Sequence, residues 1–407
     1  PSVDAAAAAR GLRAALGESV ARCLRADRPS GVLLSGGLDS TAVAAAAASA
    51  GMPGLRAFHG YYDEGPEFDE RPHARAAARA LGLDLVEVPI GATDAAAALP
   101  AILRALEEPG GGPGAIGSWF VAREAARSVR VVLGGQGADE LFSGYARHLA
   151  VEFGDALRRA VAGDAAPLAA ILPGLAPLGG YGPLLREVLG GSALLPPAEE
   201  AAFRSLFRGG ALAGVLRDDL ERDLALFRAR ERFEAEFPGP DAGSLRARLA
   251  DFERRTLLPA LLLVEDRTSM AHGIEARVPL LGRGVVDAAL RAPPEARFAG
   301  GGLKPLLRAA AAPSLPAATA GRTDKMGFPV PLARWARGPL RPFLRDLLVD
   351  GAERRRGWLR PGGAERLLEG GGVAGRGLWA MVSLELWHRE FVDRVVPVSP
   401  GGRDGTV

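Results

Sequence analysis

Residues 31–41 read Gly-Val-Leu-Leu-Ser-Gly-Gly-Leu-Asp-Ser-Thr, and this stretch decides the fold. The apolar run at 31–34 is too short for a helix and predicts a buried strand. Small and polar residues at 35–40 predict a tight turn, and 41–50 predict a helix that ends before Gly51. This strand–turn–helix order is typical of phosphate binding, because the N–H groups and the dipole at the start of a helix attract an anion.

The turn has the side chains expected around a phosphate, with one exception. Gly36 and Gly37 allow the backbone to approach a ligand, and Ser35 and Ser40 offer hydroxyl donors. Asp39 would repel phosphate unless a cation lay between them, which predicts a Mg²⁺ ligand. No Walker-type lysine follows the glycines, so transfer of the γ-phosphoryl group is disfavoured. The simpler alternative is a strand-to-helix turn capped by the carboxylate.

The rest of the first 160 residues predicts a parallel sheet. Apolar runs alternate with helical patterns, and helices that connect successive strands cover both faces of such a sheet. The further predicted strands are 55–60, 85–89 and 129–133, and the further helices are 4–26, 71–81 and 95–107. The fold class is therefore α/β, with a nucleotide-binding core over residues 1–160.

Beyond residue 160 the pattern becomes mainly helical, and strand signals nearly vanish. The long helical stretches are 216–237, 245–270, 303–312 and 379–396. We expect residues 161–407 to complete the site of the first part rather than to form an independent unit.

Composition excludes several classes of protein. Fifty Lys and Arg against 48 Asp and Glu, spread along the chain, predict no basic face for nucleic acid. The single cysteine, Cys23, excludes a disulfide framework and predicts a small buried residue rather than a nucleophile. Five scattered histidines argue against zinc. No apolar stretch is long enough to span a membrane, and we expect a soluble, cytoplasmic protein.

A second glycine pattern, Gly-Pro-Gly-Ala-Ile-Gly at 112–117, fits the dinucleotide-binding consensus Gly-x-Gly-x-x-Gly. It follows Glu-Glu-Pro-Gly rather than a strand, and without that strand the dinucleotide interpretation fails. We therefore predict a loop at this position.

Four blocks carry a family resemblance. Residues 31–41 are similar to the pyrophosphate loop (PP-loop) of the ATP pyrophosphatases. Val-Val-Leu-Gly-Gly-Gln-Gly-Ala-Asp-Glu-Leu-Phe-Ser-Gly-Tyr at 131–145 resembles the matching turn of the asparagine synthetases. Two later segments resemble further signatures of that family: 265–279, and 304–308 together with 322–329. The blocks keep the family's order over most of residues 10–395, which implies the adenine nucleotide alpha hydrolase-like fold.

The resemblance implies an ATP-dependent ligase. In this family a substrate carboxylate attacks the α-phosphorus of ATP, pyrophosphate leaves, and an amine opens the acyl-adenylate. By similarity, Asp39 and Asp139 would hold Mg²⁺. The residues implied to contact ATP, several of them through the backbone, are Leu34, Ser35, Gly36, Gly37, Asp39, Ser40, Gly60, Gly134 and Gly135.

The resemblance also implies catalytic residues: Lys304, Lys325, Asp139, Gln136 and Arg277. The two lysines would face the phosphates and the developing negative charge, where a fixed cation is most effective. Arginine dominates the basic residues, so a retained lysine indicates a role that guanidinium cannot fill; the alternative is a solvated surface charge. Lys325 lies in a Pro- and Gly-rich segment, consistent with a flap that closes over ATP.

Three other motif residues have weaker assignments. We expect Asp266 and Glu275 to brace the site, since buried ion pairs are often structural. Arg277 would brace it as well, or pair with the substrate carboxylate. His272 is interpreted as packing.

Three departures from the family pattern bear on the substrate. The chain shown opens at Pro1 without the family's N-terminal glutaminase domain. Either it is a piece of a longer protein, or ammonia comes from solution, from a separate glutaminase subunit, or from neither. Gln136 stands where asparagine synthetases commonly have Glu, and a primary amide cannot act as a base. Gly282 stands where the family usually has Asp.

Several alternatives remain at this stage. Amidation of aspartate or a related carboxylate leads, followed by a specialised lactam or peptide-cyclising synthetase in which Tyr145 or Glu140 accepts a proton. An RNA-modifying ATP pyrophosphatase would predict a basic face and paired cysteines. A regulatory remnant would predict loss of Asp39, Asp139 and Lys325. The sequence does not decide whether the protein forms a homodimer.

Overall fold

A computed structural model of the chain describes the residues on which the account below rests. They are residues 4–52, 54–175, 178, 181–190, 195–207, 212, 214–226, 229–298, 302–322, 330–350, 356–369 and 374–393. Lys325 of the sequence prediction lies outside this described part.

A five-stranded parallel sheet forms the centre of the fold. Its strands are β1 (Ser30–Leu33), β2 (Arg56–Tyr61), β3 (Asp84–Pro89), β4 (Val131–Leu133) and β5 (Glu275–Arg277). The spatial order is β3-β2-β1-β4-β5, and every neighbouring pair is parallel. The chain order reverses between β1 and β4, so a crevice opens beyond their carboxyl ends.

Helices account for most of the remaining described chain. They are α1 (Ala5–Cys23), α2 (Leu38–Ser49), α3 (Arg71–Leu81), α4 (Ala92–Leu106), α5 (Gly114–Ala125), α6 (Ala138–Phe142), α7 (Ala146–Val161), α8 (Ala166–Ile171), α9 (Gly182–Leu189), α10 (Ala198–Leu206), α11 (Asp218–Leu226), α12 (Ala229–Glu236), α13 (Leu245–Met270), α14 (Arg283–Arg291), α15 (Pro294–Arg297), α16 (Pro305–Ala311), α17 (Ala317–Ala320), α18 (Leu332–Arg337), α19 (Arg341–Arg345), α20 (Gly363–Glu369) and α21 (Ala374–Phe391). None of these helices is both long and apolar enough to cross a membrane, a finding limited to the described residues.

The two faces of the sheet are covered by different helices. Val131 and Leu133 of β4 pack in one cluster with α1, α2, α14 and α16. Val132, between them, packs on the opposite face with Phe58 and with residues of α5. This alternation follows from the two-residue period of a strand. The predicted α/β class with helices on both faces is therefore confirmed.

One element of the secondary structure was not predicted, and one prediction was wrong. The helical second part contributes β5, which pairs with β4 at the edge of the sheet. An edge strand has one neighbour, so its three residues need no apolar run that would signal a strand. The predicted loop at 112–117 contains the start of α5, whose Ala115 and Ile116 are fully buried. Burial of these side chains outweighs the turn preference of the glycines.

Candidate active site

The first glycine turn joins β1 to α2. The Ser40 hydroxyl accepts a hydrogen bond from the Ser35 backbone N–H at 3.1 Å, and its oxygen lies 3.0 Å from the Ser35 hydroxyl oxygen. The Ser35 hydroxyl in turn accepts from the Gly37 N–H at 3.3 Å. The two serines therefore hold the turn in shape as α2 begins after Gly37.

Gly36 cannot be replaced without moving the neighbouring helix. Its φ of +74° lies in the left-handed region, which other residues rarely adopt. A Cβ at this position would also overlap the backbone carbonyl group of His73 in α3. The turn thus requires glycine for both conformation and space.

The second glycine turn follows β4 and touches the first. A Cβ on Gly135 would lie 2.9 Å from the Ser40 backbone nitrogen and 3.0 Å from the Asp39 Cβ. Such distances require a residue without a side chain. The two motifs, about 100 residues apart in sequence, therefore form one site in the crevice between β1 and β4.

Lys304 joins the two turns electrostatically. Its Nζ lies 2.7 Å from Oδ1 of Asp139 and forms a second ion pair with Oδ2 of Asp39. The side chain is buried, which alone would lower the pKa of the ammonium group; the two carboxylates outweigh burial and raise its pKa. Lys304 is therefore charged at neutral pH.

The backbone around Lys304 is unusual. Lys304 itself has φ +53°, and Ser143 has φ +56°, a left-handed conformation that is uncommon outside glycine and is often found at functional sites. Gly144 follows Ser143, and a Cβ on it would overlap both Lys304 Cε and Asp139 Oδ1. The ion pairs of Lys304 thus depend on the left-handed backbone at Lys304 and Ser143 and on the absence of a side chain at Gly144.

The two carboxylates could hold a divalent cation. Both lie within reach of one Lys304 nitrogen, and Oδ1 of Asp39 is buried without a hydrogen-bond partner in the described part of the chain. Two carboxylates that are completed by phosphate oxygens fit the ligand preference of Mg²⁺. The described residues contain no group of three or more His, Cys, Asp or Glu that could hold a metal by themselves.

Comparison with known proteins gives the family of this site. A family model described as Asparagine synthase matches residues 11–389. The chain belongs to the asparagine synthase family.

Curated relatives agree with this assignment. The chain is 34% identical over 400 residues to "Putative asparagine synthetase (glutamine-hydrolyzing)" of Mycobacterium tuberculosis strain H37Rv, covering 95% of this chain and 58% of that protein. It is 29% identical over 349 residues to "Asparagine synthetase (glutamine-hydrolyzing) 1" of Bacillus subtilis strain 168, covering 83% of this chain and 52% of that protein. The chain thus spans somewhat more than half the length of these relatives.

The sequence analysis missed Arg246, which lies outside the asparagine synthase motifs. Its side chain is fully buried near the start of α13. The guanidinium donates to the carbonyl oxygens of Ser143 at 3.3 Å and Gly302 at 2.8 Å, and it pairs with Glu152 at 3.0 Å. Arg246 therefore connects the segments that carry Gly144 and Lys304, and no local pattern signals this role.

The sequence analysis also missed Glu265, although it stands at the start of a quoted asparagine synthase motif. Its carboxyl group is buried in α13, close to the side-chain amide of Gln136. Burial raises its pKa to about 7, while the Gln136 amide acts in the opposite direction. A carboxyl group therefore lies beside Gln136, the residue that replaces the family's usual Glu.

Tyr145 and Glu140, the two candidate proton acceptors, are paired with each other. The Tyr145 hydroxyl donates to Oε1 of Glu140; Glu140 is buried and Tyr145 is half-buried. Burial raises the pKa of both groups, so Tyr145 keeps its proton at neutral pH. A neutral phenol that already donates to a carboxylate is a poor base.

Arg277 is turned away from the lysine cluster. Its guanidinium donates to the backbone carbonyls of Cys23 at 2.7 Å and Arg25 at 2.9 Å, and it pairs with Glu275 at 2.8 Å. These contacts attach β5 to the end of α1, which agrees with bracing and gives no support to a pairing with substrate. Asp266 is exposed, so it does not form the buried brace that we expected.

The remaining predicted residues lie in the sheet or pack between helices. Leu34 donates its N–H to the Phe58 carbonyl at 2.9 Å, and Gly60 lies in β2 one strand from the first turn. His272 packs edge-on against Trp119. Gly282, which departs from the asparagine synthase pattern, precedes α14, and a Cβ there would overlap the Ser19 hydroxyl, so an aspartate would not fit.

Proposed function

We propose that the protein is an ATP-dependent amide-forming ligase that acts through an acyl-adenylate. A substrate carboxylate attacks the α-phosphorus of ATP and pyrophosphate leaves; ammonia or an amine then displaces AMP. The observation that carries this proposal is the contact between the two glycine turns, with charged Lys304 between Asp39 and Asp139.

Each part of the site has a function in this reaction. The N–H groups of residues 35–40 would bind the pyrophosphate part of ATP, and Leu34, Gly60, Gly134 and Gly135 would contact the nucleotide. Lys304 is a fixed, buried cation where negative charge develops on the phosphates, and a fixed cation stabilises such charge strongly. Lys325 would supply a second cation; its position lies outside the described residues.

Asp39 and Asp139 are the residues that would hold Mg²⁺. When bound, the ion neutralises negative charge on the phosphates. The unpartnered Oδ1 of Asp39 and the convergence of both carboxylates support this assignment. In this proposal residues 1–160 bind the nucleotide, and residues 161–407 complete the site with Lys304, Arg246 and Glu265.

For the carboxylate substrate we propose aspartate or a related acid, with ammonia as nitrogen donor, supplied from solution or by a separate glutaminase domain or subunit. The names of the relatives, which include hydrolysis of glutamine, support this choice. Gln136 in place of the usual Glu favours one alternative, a specialised synthetase that joins a different acid and amine or closes a lactam.

Pyrophosphate release tests the reaction class. Purified protein is given ATP and Mg²⁺ with a panel of acids, aspartate first, with and without ammonium or glutamine. We expect pyrophosphate and AMP, and Asp39→Ala should abolish their release with every acid. Asp94→Ala, a change of an exposed acid in the first turn of α4, is the matched control and should behave as wild type. Formation of ADP and phosphate would contradict the proposal.

A further inference from the structure

Glu265 is a buried carboxyl group with an unused oxygen. The residue is 7% exposed, and its Oε2 has no hydrogen-bond partner in the described part of the structure. Burying a polar atom without a partner costs free energy, and groups held in this way are frequent at functional sites. The position therefore calls for a chemical explanation.

The carboxyl group lies directly against the second glycine turn. A Cβ on Gly134 would be 2.7 Å from Oε1 of Glu265, so only glycine allows this approach. Two residues further along the turn, the Gln136 side-chain amide lies near the same carboxyl group. Between them, Gly135 contacts Asp39 of the first turn. Glu265 is thus part of the same cluster as the proposed ATP site.

The proposed reaction needs a proton acceptor that the family motif does not provide here. An attacking amine must lose a proton, and the amide of Gln136 cannot accept one. The Tyr145 hydroxyl donates a hydrogen bond to Glu140, so these two groups are already paired with each other. Glu265 is the carboxyl group beside Gln136, the residue that stands where asparagine synthetases commonly have Glu.

We propose that Glu265 accepts the proton of the attacking amine, with the Gln136 amide orienting its carboxyl group. The inference rests on the proposed ligase function. As the C–N bond forms, an N–H bond of the amine breaks and an O–H bond forms on Glu265. The bond between the acyl carbon and the AMP oxygen breaks, and AMP leaves with the electron pair. The proton of Glu265 then passes to solvent.

The acid–base properties of the site suit this role. Burial raises the pKa of Glu265, and with the opposing effect of the nearby Gln136 amide included the value is about 7. A general base is most effective when its pKa lies near the working pH. An ordinary surface glutamate would be too weak a base at neutral pH.

Glu265→Gln tests the proposal by separating the two half-reactions. The substitution keeps the side-chain volume and leaves a polar group beside Gln136. With the acid that supports pyrophosphate release in the wild type, aspartate first, we expect ATP–pyrophosphate exchange within about threefold of wild type and amide formation from ammonium reduced by about 100-fold or more. Hydroxylamine is the stronger nucleophile, and the nitrogen that it adds is acidic enough to lose its proton to water, so the hydroxamate should still form. Glu124→Gln, a change of a half-buried glutamate on α5 that pairs with the exposed Arg127, is the control.

The outcomes distinguish the two proposals. Amide formation by Glu265→Gln at the wild-type rate would overturn the role of Glu265 and leave the ligase intact. Absence of pyrophosphate release by the wild type with every acid would overturn the ligase and, with it, this inference. A readout without substrate is the infrared band of a protonated carboxylic acid. It should titrate near neutral pH in the wild type and be missing in Glu265→Gln, and its absence from the wild type would also refute the proposal.

Discussion

At the scale of single residues, close contacts restrict which side chains fit in the site. Lys304 and Lys325 are the two lysines of the chain, and Lys304 is buried against Gly144 with its charge shared by Asp39 and Asp139. A compact ammonium fits this space, whereas a planar guanidinium with five donors does not. This packing gives a physical reason for lysine in a chain otherwise rich in arginine.

Gly144→Ala should disable the site while the fold survives. The added Cβ overlaps Lys304 Cε and Asp139 Oδ1, so the lysine must leave its position. Displacement of a catalytic group by about 1 Å can reduce a rate by roughly 100-fold, and we expect a loss of that size in pyrophosphate release. Gly17→Ala is the control, because its exposed helical position has open space. An active Gly144→Ala enzyme would show that Lys304 is not needed where the structure places it.

Lys304→Arg should behave like Lys304→Met and not like the wild type. Both variants lose the compact ammonium between the two carboxylates, although the arginine keeps the charge. Steady-state pyrophosphate release measures the effect, and circular dichroism checks that both variants are folded. Activity in Lys304→Arg within a few-fold of wild type would reduce the role of Lys304 to its charge alone.

At the scale of elements, the site depends on how α13 meets the loops around it. Arg246 near the start of α13 bonds the segment before α7 and the segment before α16, and Glu265 near its end lies on the turn after β4. One 26-residue helix therefore positions both Arg246, which we call the clamp because it bonds two loop segments, and Glu265, the proposed base.

Arg246→Met should destabilise the protein and lower its activity. It leaves the carbonyls of Ser143 and Gly302 and the carboxylate of Glu152 without their donor, and breaking a buried ion pair of this kind costs about 3–5 kcal/mol. Glu152→Gln keeps the arginine and its two carbonyl contacts, so its loss should be smaller. Urea unfolding measures the free energy of unfolding of both variants. Equal stability of Arg246→Met and wild type would contradict the clamp.

What could be predicted from the sequence follows from how local each signal is. The turn at 35–40 and helix α3 depend on neighbouring residues, and they were found with correct or nearly correct bounds. Strand β5 has three residues whose pairing with β4 is decided by tertiary contact, so no local pattern could reveal it. Arg246 and Glu265 act on residues between 56 and about 130 positions away, a relation that one sequence does not contain.

At the scale of the whole molecule, the sheet order explains why distant segments share one site. The reversal between β1 and β4 places both glycine turns at one crevice, and the helical part returns to the sheet through β5. Lys304 and Glu265 therefore reach the turns from the second part of the chain. Because both ionisable side chains are buried beside the glycine turns, their protonation affects the free energy of unfolding of the whole protein.

The pH dependence of unfolding should report the buried state of Glu265. Its pKa is raised from 4.5 to about 7, so between these values the folded protein binds more protons than the unfolded chain. Stability therefore falls as pH rises through this window, by up to about 3 kcal/mol from this residue. Glu265→Gln cannot titrate, so its free energy of unfolding, measured in urea at several pH values, should rise relative to wild type by that amount between pH 4.5 and 7 and then level off. A difference that stays constant across the range would mean that Glu265 titrates normally in the folded protein.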